Sequence, residues 1–281
     1  NRIELPIGPQ HPSLKEPAAF WITLEGERVV NAVVGVGYNH RGLEKACESR
    51  NYIQNLYLIE RVCGICSHTH STAFCQGIEE LAGLSIPKRA AYIRVMVAEL
   101  ERLHSHLLWL GVAAHEIGFD TMFMYTWRDR EKVLDILAEV CGNRVNYGIN
   151  TIGGVRRDVD EAMLQDISKM ADELENQIKY YLELAMTETT LSARLSGVGR
   201  LPYEDALKFG VVGPVARSAG IADDIRVTEP YAAYGEIPVN PVVDTRADVL
   251  GRTVVRIKEM LESLNILRFC IKNIPDGDIS V

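Results

Sequence analysis

The side chains best placed for chemistry lie in Arg61-Val-Cys63-Gly-Ile-Cys66-Ser-His68-Thr-His70. Two cysteines two residues apart, followed by an imidazole four residues on, make a small soft-ligand cluster. Gly64 between them has no Cβ, so the backbone can turn tightly and bring both sulfurs to one point. Thiolates select zinc, copper(I), nickel and iron–sulfur clusters. Arg61 beside the pair is expected to lower both thiol pKa values by favouring the charged form. The same spacing fits half of a structural zinc site, or two buried thiols without metal. A zinc site needs two more ligands, commonly a second close pair. Cys47, Cys75, Cys141 and Cys270 are single and scattered, so these residues contain no second pair.

The elements that must hold this cluster can be read in order. Ile3–Pro12 is an extended, proline-punctuated opening. Phe20–Leu24 and Val29–Val34 flank Glu25-Gly26-Glu27 and predict a hairpin over 18–36. Tyr38–Glu44 is a polar connector into a helix running through Tyr57. Glu44 suits a solvated carboxylate in a first helical turn, or a proton acceptor beside the cysteine pair. Beyond the motif the chain turns helical: 71–82, then a long helix opened by Pro87 and running to about Gly118. Ile93, Val97, Leu100, His104 and Leu107 recur along it at helical spacing. His104 and His106 sit about 200° apart on a helix, which argues against joint metal ligation. Further helices are predicted over 128–141, from an Asp158 or Asp160 cap to about Thr187, and over about 247–273. Gly210–Gly220 is a glycine-rich loop without the lysine and hydroxyl spacing of a phosphate-binding loop. The sum is α+β but mostly α: a helical core with a small N-terminal antiparallel sheet. The division expected is 1–60, sheet and connecting helix, and 61–281, the helical part carrying the cysteines.

Composition bounds the function. The 281 residues are 47% hydrophobic and 24% charged, enough for a sizeable core. A net charge of −8 argues against nucleic acid as a partner. No apolar run reaches the roughly 18 residues of a membrane span. Six cysteines without a signal peptide point away from a disulfide framework and toward a reducing compartment. The first residue is Asn1, so the numbering is expected to cover a processed or partial chain.

Six segments together resemble one family: Gly8-Pro-Gln-His-Pro12, Tyr38-Asn-His-Arg-Gly-Leu-Glu44, Glu60-Arg-Val-Cys-Gly-Ile-Cys66 through His70, Glu101 through Leu110, Gly142-Asn-Arg-Val145, and Gly153-Gly-Val-Arg-Arg-Asp158. They resemble the large subunit of [NiFe]-hydrogenases, within the membrane-bound, energy-converting group related to respiratory complex I. The resemblance implies a NiFe(CO)(CN)2 centre held by two Cys-x-x-Cys pairs, with Cys63 terminal on nickel and Cys66 bridging nickel and iron. His70 would donate a hydrogen bond to the bridging sulfur. Glu44 would relay the proton released from H2, and Arg61 would offset thiolate charge. It also implies partners: an iron–sulfur small subunit, [4Fe–4S] clusters outside this chain, a ferredoxin-like subunit and antiporter-like membrane subunits, at the cytoplasmic face of the membrane.

Two departures qualify the resemblance. The family's C-terminal Asp-Pro-Cys-x-x-Cys segment is absent and Cys270 stands alone. The expectation is that this segment lies outside the residues at hand; a metal-free immature form and a relative that lost the reaction are the alternatives. The complex I relative lacks the cysteine pair and carries a quinone-binding histidine shortly after its His-Pro, where this sequence has Leu14, Lys15 and Glu16. The competing functions are therefore a quinone- or sulfur-reducing relative, or a non-catalytic scaffold.

Overall fold

The computed structural model describes residues 2–12 and 14–281, in two units, residues 1–51 and 52–281. In the first, β1 (Arg2–Ile7), β2 (Ala19–Glu25) and β3 (Arg28–Gly35) form an antiparallel meander. The hairpin expected over 18–36 is β2–β3, turned at Gly26 with φ 63°. The stretch read as a proline-punctuated opening is a third strand instead, pairing Ile3 with Leu24 and Leu5 with Ile22. Pro6 is tolerated because β1 is an edge strand. The register puts Ile3, Leu5, Ile7, Phe20, Ile22, Leu24, Ala32 and Val34 on one face, an apolar set.

The helix expected through Tyr57 is two helices, α1 (Leu43–Cys47) in the first unit and α2 (Tyr52–Glu60) in the second. Ser49 Oγ and the Arg50 guanidinium both donate to the Ala46 carbonyl, offering it partners other than the next helical amide.

In the second unit, α3 (Ser67–Ala82), α4 (Lys88–Glu116), α5 (Asp120–Cys141), α6 (Glu161–Thr187) and α11 (Val249–Asn273) carry the core. Between α5 and α6, β4 (Asn150–Thr151) and β5 (Gly154–Val155) form a two-stranded ladder. Four short helices precede α11: α7 (Thr189–Leu195), α8 (Tyr203–Lys208), α9 (Gly213–Ser218) and α10 (Ile225–Thr228). So the glycine-rich loop expected over 210–220 contains a helix.

α4 is the axle: Ile93, Val97, Leu100, Leu103 and Leu107 are all without exposure. α5 folds back on it and begins eight residues earlier than the periodicity predicts. The close approach is at Gly111, where a Cβ would lie 2.4 Å from Thr126 Oγ1 and 2.8 Å from the Trp127 ring. The caps of the two long later helices come from aspartates. Asp160 Oδ1 accepts from the Met163 amide at 2.9 Å, so Asp160 and not Asp158 caps α6; Asp248 Oδ1 accepts from the Gly251 amide at 2.8 Å at the start of α11. No helix of the described residues is long and apolar enough to cross a membrane.

Candidate metal centre

The cysteine turn lies between α2 and α3, with Cys66 as the residue before the first turn of α3. Cys66 carries no side-chain cap for that helix. The cap comes from α4. Glu101 Oε1 accepts from the His68 amide at 2.7 Å, and Oε2 accepts from the Thr69 amide at 3.1 Å and the Thr69 hydroxyl at 2.5 Å. A carboxylate 33 positions downstream thus satisfies the first amides of α3, which is why the helix starts at Ser67 and not at Ser71 as expected. Burial pushes Glu101 up to about 7, against the hydrogen bonds that favour its anion.

The other walls come from the loop after α5. Gly142, φ 81°, ends that helix. Asn143 Oδ1 accepts from the Val145 and Asn146 amides at 2.9 and 3.0 Å. The shaped loop presents Val145: its carbonyl accepts from Ser67 Oγ at 2.5 Å, and its Cγ1 lies 3.4 Å from where a Gly64 Cβ would stand. Glu60 accepts from the Gly148 amide. These contacts explain why Gly142-Asn-Arg-Val145 accompanies the cysteine motif.

The structure brings Cys63 and Cys66 together. Both are half-buried, and the two side chains are within hydrogen-bonding reach of each other. The Ile65 amide donates to Cys63 Sγ at 3.4 Å. Burial, then the hydrogen bond and charge of Cys63, push Cys66 up to about 12. This corrects the expectation that Arg61 lowers the Cys66 thiol. Arg61 is exposed; it donates to the Tyr57 carbonyl at 3.1 Å and lies 3.7 Å from Glu60. A soft cation shared by two crowded sulfurs would relieve the repulsion that holds the second proton on. The donor chemistry therefore fits a thiolate-bound metal, as half of a four-thiolate set. Among the described residues no group of three or more His, Cys, Asp or Glu side chains converges as a metal site.

His70 lies four residues after Cys66, and its amide donates to the Cys66 carbonyl at 3.2 Å. Glu44 is exposed in the first turn of α1, in the other unit. His68 is fully buried: its Nε2–H donates to the Arg94 carbonyl at 2.9 Å, and desolvation pushes it down to about 3, so it is neutral. Asn150 Nδ2 lies 3.2 Å from His68 Nδ1 and donates to Ser71 and Thr72 hydroxyls, both at 2.9 Å.

The Gly153-Gly154 break is held by a buried ion pair. Arg94 meets Glu79 bidentately at 2.6 and 2.9 Å and donates to the Thr151 and Gly154 carbonyls. Ile279 O would lie 2.1 Å from a Cβ on Gly154, so only glycine lets that strand pass.

On the other side of α4, His106 lies 2.8 Å from Glu259, and Arg217 donates to the same carboxylate at 2.7 Å. Arg226 joins Glu99 at 3.0 Å and Asp224 at 2.7 Å, while Tyr234 and Ser263 donate to Glu99, both at 2.5 Å. Arg217, in the segment read as a glycine-rich loop, is 5% exposed in the fold, inside this network. Sequence reading missed Glu101, Glu99 and Glu259 as structural anchors. The available signal was a carboxylate among apolar helix positions, Glu99 and Glu101 beside Leu100 and Leu103.

A helical core that presents a close thiol pair at the head of one helix, with a small antiparallel meander in a second unit, defines a class of oxidoreductase large subunits. Residues 41–114 match the nickel-dependent hydrogenase family, and residues 116–281 match the 49-kDa subunit of the respiratory-chain NADH dehydrogenase. The chain belongs to the family of large subunits that these hydrogenases share with that dehydrogenase. It is 45% identical over 99% of its length to the membrane-bound hydrogenase subunit alpha of Pyrococcus furiosus, of which it covers 66%. To formate hydrogenlyase subunit 5 of Escherichia coli it is 37% identical over 99% of its length, covering 49% of that protein. The chain thus spans between about half and two thirds of these relatives. Among solved structures, a chain of the membrane-bound sulfane sulfur reductase, an archaeal respiratory membrane complex, superposes with a TM-score of 0.94 at 29% identity, over 100% of this chain and 75% of that one. The expected fold class is borne out.

Proposed function

We propose that this chain is the catalytic large subunit of an energy-converting [NiFe]-hydrogenase, interconverting H2 with two protons and two electrons. The observation that carries the reading is the convergence of Cys63 and Cys66 in one turn braced from three sides, within the segment that matches nickel-dependent hydrogenases. Cys63 and Cys66 would hold nickel and iron, with two further thiolates expected from a Cys-x-x-Cys pair outside these residues. When bound, the metal pair supplies a polarisable centre that lowers the barrier to splitting H2. The chain's own residues would bind and orient it: the turn fixes the sulfurs, Glu101 fixes the head of α3, and His70 would support the Cys66 sulfur. Glu44 is the proposed carrier of the released proton, and Arg61 offsets negative charge at the turn's exposed edge.

In this reading electrons leave through an iron–sulfur small subunit to a ferredoxin-like subunit. The assembly docks on antiporter-like membrane subunits at the cytoplasmic face. A second reading, reduction of a quinone or of sulfur, is favoured by the likeness to the sulfane sulfur reductase chain and to the 49-kDa NADH dehydrogenase family. Metal analysis of the purified complex separates them. Nickel and iron in equal amounts, with H2-dependent dye reduction lost in Cys66→Ser, support the hydrogenase. A preparation without nickel that still reduces sulfur or quinone overturns it.

A further inference from the structure

We propose that His104 is a positioning residue that holds the cysteine turn from behind through the Ile65 carbonyl. The inference deepens the reading above, because it concerns how the thiol pair is shaped. It does not depend on which metal the pair takes.

His104 on α4 has no exposure, and its Nε2 lies 3.0 Å from the carbonyl oxygen of Ile65, the residue between the two sulfurs that precedes Cys66. A carbonyl only accepts, so Nε2 carries the proton and Nδ1 is left with a bare lone pair. Desolvation pushes His104 down to about 4, helped by the Arg130 charge, so the ring stays neutral. Nδ1 is buried and meets no hydrogen-bond partner among the described residues.

The neighbours share that condition. The Tyr147 ring stands edge-on to His104, centroids 6.4 Å apart, and its buried hydroxyl is also unpartnered; so is Arg130 Nε. Arg130 is close enough for its charge to act on both His104 and Tyr147. That leaves His104 one hydrogen bond among the described residues, the one to the Ile65 carbonyl. The neutral ring with its proton on Nε2 is the form that grips Ile65. Its grip sets the carbonyl direction between the sulfurs and hence their spacing. His106, two residues on, cannot substitute, since it faces Glu259.

The test uses phenylarsine oxide, which bridges two thiols only at a fixed separation. It is titrated into the full-length chain expressed without added nickel, with Cys63→Ser setting the background. In His104→Phe the affinity is expected to fall by about tenfold or more, the usual effect of losing a group that orients a ligand. His104→Gln, whose amide can still donate to Ile65, should stay within about threefold of wild type. Equal affinity in His104→Phe, or equal loss in both variants, overturns the proposal. Should the variants fold poorly, 15N NMR of the wild-type histidines decides: a persistent neutral Nε2–H ring for His104 between about pH 5 and 8 supports it, and an Nδ1–H or protonated ring overturns it. A wild-type complex lacking nickel but keeping the arsenical contrast would sink the hydrogenase reading and leave this inference standing.

Discussion

The two flanks of α4 handle buried polarity in opposite ways. On one, Glu99, Asp224 and Glu259 face Arg226, Arg217, Arg102 and His106, and each carboxylate has a cation within hydrogen-bonding distance. On the other, beside the buried Arg94–Glu79 pair, Glu101 is held by amides and a hydroxyl, two neutral histidines grip carbonyls, and several polar atoms have no partner among the described residues. The electrostatic results follow. Arg102, Arg226 and Ser263 hold Glu99 down to about 2 despite its burial, while burial lifts Glu101, two residues along, to about 7. A region with every charge matched resists change. A region with spare donors and acceptors can exchange a proton or admit a cation, as a redox centre requires.

The paired flank should break hardest. Arg226→Ala leaves Asp224 buried without its main cation and Glu99 with Arg102 alone, and removing one partner of such a pair costs on the order of 3–5 kcal/mol. Chemical denaturation should show that loss, and a loss under about 1 kcal/mol would mean that water or Arg102 already serves those carboxylates. Acid probes the same flank. Glu99 and Glu259 fall from 4.5 to about 2 on folding and Asp224 from 3.8 to about 2. Depressed folded values give stability that is present above about pH 4.5 and lost as pH falls toward 2. For Glu99 and Glu259 it amounts to roughly 3 kcal/mol each, with overlap because they share Arg102. Urea midpoints should therefore drop steeply below pH 4.5, and a flat profile to pH 3 would contradict the pairing.

Glu101 should slope the other way. Its folded value is raised from 4.5 to about 7, so the stability it contributes is complete below pH 4.5 and is lost as pH climbs through 7. Glu101→Gln removes the titration. Wild type should lose ground to that variant by about 1–3 kcal/mol between pH 5 and 8. Parallel profiles would mean that the head of α3 keeps Glu101 ionised throughout, and the contrast between the flanks would narrow.

What the sequence made legible was local. The hairpin at Gly26, the opening of α4 at Pro87, the aspartate cap of α6 and the cysteine spacing rest on contacts within a few residues, and all stand close to where their chemistry placed them. The six matching segments gave the family, and with it the fold. What escaped were effects of distant partners. Residues 3–12 read as an extended opening punctuated by prolines, because only the pairing of β1 with β2 shows an edge strand there. α3 began four residues early because its cap is supplied from α4. Gly210–Gly220 reads as a glycine-rich loop, although a short helix there delivers Arg217 to Glu259 on α11, and another just beyond it delivers Arg226 to Glu99 on α4. An arginine in a glycine-rich segment looks like a surface residue until the fold supplies a buried partner more than forty positions away.

The smallest effect should come from the brace that is neither charged nor a ligand. Ser67 is fully buried, and its hydroxyl donates to the Val145 carbonyl at 2.5 Å. Ser67→Ala creates almost no cavity but leaves that carbonyl without its donor, at about 1–2 kcal/mol. For a chain of this size that is a melting shift of about 2–4 °C per kcal/mol. The more telling readout is local. Val145 backs Gly64 from the same loop, so a loosened brace should let the cysteine turn open more often, and Cys66 should alkylate faster at fixed pH than the global stability loss predicts. If alkylation rises only in proportion to global unfolding, the turn is held by its own backbone and by Glu101, and the loop after α5 is packing around it and not a wall of the site.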